Sequence, residues 1–145
     1  MDIKLFVIGG ANVDLYGQID AKNGVSEDSN PGSVTIHAGG VGRNIAENLG
    51  YLGANVEFIG HFGGDNFAIT LNQSLQKAGV STAFSYKNAD QNSDFYIAIQ
   101  NQKGELISAV NDMYLIENLP TSFLKNQENI KKIKNITFTL LIRLM

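Results

Sequence analysis

The chain contains no cysteine, which removes any disulfide framework, thiolate metal site or cysteine nucleophile and fits a cytoplasmic protein. Histidine is scarce as well. His37 and His61 are the only two, and neither has the carboxylate or second-histidine spacing of a metal site. Basic clusters are missing except for the doublet Lys131-Lys132, in a chain of net charge −3. A solvated helix face accounts for that doublet, and the charge balance argues against nucleic acid as a partner. The opening run Met1 to Ile8 is too short for the hydrophobic region of a signal peptide. No stretch approaches the roughly 20 apolar residues of a membrane span. No Gly-Lys-Ser/Thr phosphate loop occurs. Gly40-Val41-Gly42 neither completes the dinucleotide fingerprint nor follows the first strand, which argues against a Rossmann-type dehydrogenase.

What is present is one domain's worth of chain, 145 residues with 43% hydrophobic and 17% charged content, enough to build a single core. Leu5 to Ile8 is a continuous apolar run ending in Gly9-Gly10, the pattern of a buried strand followed by a sharp loop. Leu15 to Ile19 predicts a short strand, and residues 20–33 a polar loop closed by Asn30-Pro31-Gly32. Val34, Ile36 and Ala38 alternate with Thr35 and His37, as in a half-exposed strand. Val41, Ile45, Leu49 and Leu52 fall on one helical stripe that Gly53 stops. Val56 to Gly60 is the next buried strand. Asp65 is placed to cap a helix through Phe67, Ala68, Leu71, Leu75 and Ala78, ended by Gly79. This β-α-β-α order predicts a parallel sheet with helices packed on it.

The texture then changes. Thr82 to Tyr86 and Asp94 to Gln100 read as strands, and Asn101 to Gly104 as a hairpin turn into Glu105 to Val110. Hairpin-linked strands inside a β-α chain imply a second, smaller antiparallel layer. A helix over about Ser122 to Ile133 and a buried strand over Ile136 to Ile142 complete the reading.

Two features carry candidate chemistry. The run Ala38-Gly39-Gly40-Val41-Gly42-Arg43-Asn44 joins a strand to a helix, with three glycines in four positions. It is either a tight connection or a place where backbone N–H groups approach a polar ligand, with Asn44 able both to donate and to accept. Asn12 and Asp14 stand just past the first strand, where open α/β sheets place their ligands. Asp14 is either a turn-capping residue or an acceptor for two neighbouring hydroxyls of a sugar. Both features suit a polyhydroxylated ligand better than a bare anion.

These residues resemble the PfkB (ribokinase-like) carbohydrate kinases. Gly39-Gly40, Asn44, Ala46, Gly53 and Gly63 match the family's first motif across its span, and Gly9-Gly10-Ala11-Asn12-Val13-Asp14 resembles its first strand and sugar-binding Asp. Within the family the pseudouridine kinases are most similar, through Asp28 to Gly32, Gly39 to Ala46 and Ala109 to Met113. The resemblance covers residues 5–135. It implies a three-layer αβα core carrying a small β-sheet lid, with lid strands at about 15–20, 33–38, 82–86 and 94–110, all within one domain portion spanning 1–145. It also implies a homodimer through that lid. Asn12, Asp14, Gly39, Gly40 and Asn44 would hold ribosyl hydroxyls, and the lid residues Ile36 and Tyr96 would close over the base or sugar. ATP and Mg²⁺ are the implied cofactors, and transfer of the γ-phosphoryl group to a 5′-hydroxyl is the implied reaction. The family's catalytic Asp lies in a Gly-Ala-Gly-Asp motif that this sequence does not contain. The chain therefore reads as the truncated, acceptor-binding portion of such a kinase, without the ATP-binding portion and with no phosphoryl transfer of its own.

Overall fold

The computed structural model describes residues 4–20, 28–126 and 138–141. Strand β1 (Lys4–Ile8) lies at the centre of a parallel sheet, between β4 (Asn55–Ile59) and β9 (Phe138–Leu141). The apolar run Leu5 to Ile8 within it follows from burial on both faces. Val7 faces the main core with Val56, Phe58, Leu71 and Leu75. Phe6 is turned the other way and stacks on Phe84, with ring centroids 6.4 Å apart. On that same face the buried carboxylate of Glu57 accepts from Lys4 Nζ and from the backbone N–H of Phe84, both at 3.0 Å.

Two helices cover the Val7 face. Helix α1 (Val41–Tyr51) packs on β1 and β4, and α2 (Asn66–Lys77) packs on α1. Gly53 and Gly79 follow their ends with φ of +82° and +77°, the left-handed conformation that glycine adopts at low cost. The expected α1 stripe is only partly right. Val41 and Leu52 are 44% and 83% exposed, while Gly42, Arg43 and Ala46 take the buried positions. Ile45 and Leu49 of the expected stripe do pack against the core, and the small side chains of Gly42 and Ala46 beside them let the helix approach closely.

The second layer is a four-stranded sheet in the order β3-β2-β7-β8. It comprises β2 (Asn12–Ile19), β3 (Gly32–Gly39), β7 (Asp94–Gln100) and β8 (Leu106–Asp112). β2 is antiparallel to β3 and parallel to β7, and the hairpin β7–β8 forms as expected, with a register shift at Ile99/Gln100. Strand β2 starts three residues earlier than the sequence pattern suggests, because Asn12 pairs with both Gly39 and Asp94. Asn12 and Asp14 are thus strand residues, not loop residues.

Segment 82–86 is not a strand of this sheet. Only β6 (Tyr86–Lys87) is extended there, and it pairs with β5 (His61–Phe62). The intervening backbone groups are engaged otherwise: Phe84 N–H by Glu57, and Ser85 N–H by the carbonyl of Thr82 in a turn. Two short helices follow, α3 (Tyr114–Glu117) and α4 (Thr121–Leu124). The remainder of the helix expected to 133 and the first residues of the expected last strand fall outside the described residues. β9 lies inside that strand's predicted range.

Asp65 caps α2 as its position predicts. Its carboxylate accepts from Ala68 N–H at 2.9 Å and from the Ser93 N–H and hydroxyl at 2.8 and 2.7 Å. Partial burial raises its pKa, but the hydrogen bonds from Ser93, Ala68 and Phe67 outweigh that and leave it below the ordinary value. A carboxylate that titrates low when folded contributes its full stabilisation above about pH 4 and loses it as the pH falls through the folded value. Asp65→Ala is expected to lower stability by about 1–2 kcal/mol at neutral pH and by less in acid. Urea melts of both proteins at pH 7 and near pH 3 check this, and an equal difference at the two pH values contradicts it.

Candidate functional site

The site forms where the start of β2, the end of β3 and the start of α1 meet. The loop Gly9-Gly10 leaves β1 and passes directly beneath the first turn of α1. Arg43 N–H donates to the carbonyl of Gly10 at 3.1 Å. A Cβ at Gly40 would stand 2.4 Å from the Gly10 oxygen, and one at Gly42 would stand 2.8 Å from the Gly9 Cα. Gly40 also has φ of +97°. These two glycines serve close backbone contact inside the protein, the first of the two readings of the run. Gly39 serves the other partner: a Cβ there would lie 2.5 Å from the carboxylate of Asp14. The absent side chain is the space the carboxylate occupies.

Asp14 is half-buried and oriented from below. Asn12, itself buried, donates from Nδ2 to Asp14 Oδ1 at 2.6 Å. Asn12 is therefore a positioning residue, its amide spent on the carboxylate. Among the described residues no other group donates to Asp14, so Oδ2 keeps its acceptor capacity.

Arg43, which sequence periodicity places on an ordinary helix face, is buried and ties the junction together. Its Nε donates to Gly39 O and Nη2 to Ala38 O, each at 2.9 Å. Nη1 reaches Ser74 Oγ on α2 at 2.9 Å and pairs with Glu47 at 3.0 Å. Nη2 also donates to Asn44 Oδ1. That last bond holds the exposed Asn44 amide by its oxygen and leaves its NH₂ free to donate. The only advance signal for Arg43 was an arginine among glycines at a helix start.

Strand alternation separates the other expected residues. Asp14 pairs with His37 on β3 and with Tyr96 on β7, and Tyr96 pairs with Asn111 on β8. Asp14, Tyr16, His37, Tyr96 and Asn111 therefore share one face. Leu15 pairs with Ile36 and Ile97, on the opposite face. Ile36 does not share a surface with Asp14 and Tyr96, against the expectation that both lid residues close over one ligand. The start of β7 is fixed by Asp94, which is buried and accepts from Leu115 and Ile116 N–H at 2.7 and 3.1 Å. Burial raises its pKa despite those two bonds, with Asp112 adding to the rise and His61 opposing it.

Gly40→Ala is expected to cost about 1–3 kcal/mol through the clash with Gly10, on top of the penalty for a positive φ. Gly53→Ala, with the same sign of φ but nothing within 4 Å of its Cβ, should cost only about 1 kcal/mol. Thermal denaturation of the pair isolates the close approach, and equal losses would remove it.

The description "pfkB family carbohydrate kinase" matches residues 2–142. The chain is 34% identical over 124 residues to "Uncharacterized sugar kinase YeiI" of Escherichia coli (strain K12), covering 86% of this chain and 34% of that protein. It is 31% identical over 131 residues to "Pseudouridine kinase" of the same organism, covering 90% of this chain and 42% of that one. Among solved structures, "Carbohydrate kinase from Agrobacterium tumefaciens" superposes with a TM-score of 0.86 and 33% identity, over 96% of this chain and 45% of the other. The chain thus spans less than half the length of these relatives, and over that span it has their mixed α/β, ribokinase-like fold. By sequence and by fold, the chain belongs to the pfkB family of carbohydrate kinases.

Proposed function

We propose that this chain is the acceptor-binding part of a sugar or nucleoside kinase whose whole-length reaction phosphorylates the 5′-hydroxyl of pseudouridine or a related ribosyl compound. The observation that carries the reading is the state of Asp14: a carboxylate held by Asn12, fitted into the space left by Gly39, with an oxygen still free. A carboxylate so placed accepts hydrogen bonds from adjacent sugar hydroxyls, and bonds to an ionised acceptor are the strong kind. Gly40 sets the backbone path beside it, and the free NH₂ of Asn44 supplies a donor. Tyr96, across from Asp14 on β7, lines the same surface.

In that reaction the bond from the γ-phosphorus of ATP to its bridging oxygen breaks and a bond to the sugar 5′-oxygen forms, the hydroxyl proton leaving to a base. The sequence has no phosphate loop, and the described residues include no group of three His, Cys, Asp or Glu able to hold a metal ion. The work this reading assigns to the chain is to bind and orient the acceptor, which needs neither feature.

Calorimetric titration with pseudouridine tests the assignment. Asp14→Ala is expected to weaken binding about tenfold or more, the worth of a hydrogen bond to a charged group. Unchanged affinity would sink the hydroxyl-binding role. The chain incubated with ATP, Mg²⁺ and pseudouridine is expected to give no phosphorylated product, and genuine turnover would overturn the division of labour.

A second reading, a dimerisation module, is favoured by the face opposite Asp14. There Val34, Ile36 and Val110 are 68%, 55% and 58% exposed, a density of apolar side chains that a second copy would cover. Sedimentation velocity should then show a dimer that Ile36→Lys converts to monomer. A monomeric parent chain at calorimetric concentrations rejects this reading.

A further inference from the structure

His61 is buried, and none of the roles described above uses it. It lies in β5, where its ring meets that of Tyr86 on β6 edge-on, with centroids 4.9 Å apart. Its Nδ1 stands 2.7 Å from the carbonyl oxygen of Leu115 in α3. A carbonyl only accepts, so Nδ1 carries the proton, and in the neutral ring the lone pair sits on Nε2. Among the described residues Nε2 has no hydrogen-bond partner, although it is buried. An acceptor left bare in the interior costs stability. The polar contribution of the ring therefore lies in the one bond that Nδ1 makes.

That bond completes a grip on one residue. Leu115 N–H donates to Asp94 Oδ1 at 2.7 Å while the Leu115 carbonyl accepts from His61, and Ile116 N–H donates to Asp94 Oδ2 at 3.1 Å. Helix α3 has only four residues and no side-chain cap, too little to persist on its own hydrogen bonds. Its place is set by these outside partners and by the buried Leu115 side chain. Two contacts lead from α3 to the candidate site. Asp94 pairs with Asn12 in the β2–β7 ladder, and Asn12 orients Asp14. Ile116 rests on Gly10, where an added Cβ would lie 3.5 Å from its Cγ1, and Gly10 is also the residue that Gly40 and Arg43 touch.

We propose that His61 is a positioning residue for the acceptor site: by donating to Leu115 it holds α3, and through Asp94 the start of β7, in the place that sets Asn12 against Asp14. The consequence for affinity rests on the reading that Asp14 binds the sugar hydroxyls, whereas the placement of Asn12 does not. Without the donor the Leu115 carbonyl is left bare, α3 is free to shift, and Asp94 loses its hold on the first rung between β7 and β2. The role is geometric, so a donor of the same reach replaces the ring. Asn supplies one, because its Nδ2 is as many bonds from Cα as the Nδ1 of His. Leu fills similar space with no donor.

Long-range ¹H–¹⁵N spectra of the unliganded chain should show His61 protonated on Nδ1 and bare on Nε2. Protonation on Nε2 alone overturns the proposal, and no variant has to fold for that result. In His61→Leu the side-chain amide signal of Asn12 should move and its protons exchange faster, and His61→Asn should restore both. An Asn12 signal indifferent to His61→Leu overturns the proposal. Calorimetry with pseudouridine should give binding about three- to tenfold weaker for His61→Leu, the worth of one hydrogen bond passed on to the site. His61→Asn should stay within about twofold of the parent. Val80→Ala opens a core cavity beside Gly50, near the far end of α1, and controls for stability. It should lower the melting temperature and leave affinity unchanged. Equal weakening by Val80→Ala reduces His61 to a stability role and overturns the proposal. Should His61→Leu fail to fold, His61→Asn decides with the ring spectrum: a folded His61→Asn chain whose Asn12 signal is displaced overturns the proposal. If the parent chain binds no pseudouridine while the Asn12 signal responds as expected, the hydroxyl reading of Asp14 falls and the placement by His61 stands.

Discussion

The fold's two layers are joined where α1 lands on the Gly9-Gly10 loop. Backbone touches backbone there, with hypothetical Cβ positions at Gly40 and Gly42 falling 2.4 and 2.8 Å from atoms of that loop. So close an approach brings the end of β3 down beside the start of β2. Arg43 fixes the arrangement by occupying the carbonyls of both Ala38 and Gly39 while reaching α2 through Ser74. A buried guanidinium is tolerable when its donors are satisfied and a carboxylate is near, as Glu47 is here. This clamp and the β2–β3 ladder, in which Asn12 pairs with Gly39, together hold Gly39 beside Asp14.

The four-stranded sheet turns that junction into a surface. Because side chains alternate along a strand, the pairing register alone decides which residues face Asp14. A one-residue slip of β3 would carry Ile36 onto the polar face and His37 off it. Register is pinned at the start of the strands, where Asn12 meets Gly39 and Asp94, and Asp94 is in turn anchored by the amides of α3. Asp14, Tyr16, His37, Tyr96 and Asn111 then stand on one face of the sheet and Leu15, Ile36 and Ile97 on the other.

Much of this was legible in advance. The buried strand at Leu5 to Ile8, the capped helix after Asp65 and the hairpin between Gln100 and Glu105 follow from local pattern, and each formed where the pattern placed it. The stripe on α1 was half right: Ile45 and Leu49 pack against the core, but Val41 and Leu52 do not, because periodicity counts large apolar residues and misses the buried Gly42, Ala46 and satisfied Arg43. Segment 82–86 was misread because an alternating sequence does not reveal that the buried Glu57 will take the N–H of Phe84. The resemblance implied Ile36 and Tyr96 as lid residues over one ligand, and only the pairing tells that they face apart.

By itself the sequence determined the family and the places of β1, α1, α2 and the β7–β8 hairpin, because these depend on residue types at fixed short spacings. Tertiary structure decided what each glycine is for: Gly40 and Gly42 for backbone contact, Gly39 for a carboxylate from another strand. It also decided that Tyr16 and His37 stand beside Asp14. Those roles arise from strands brought together across 20 to 80 residues of chain, and no local pattern encodes which side chains such pairing makes neighbours.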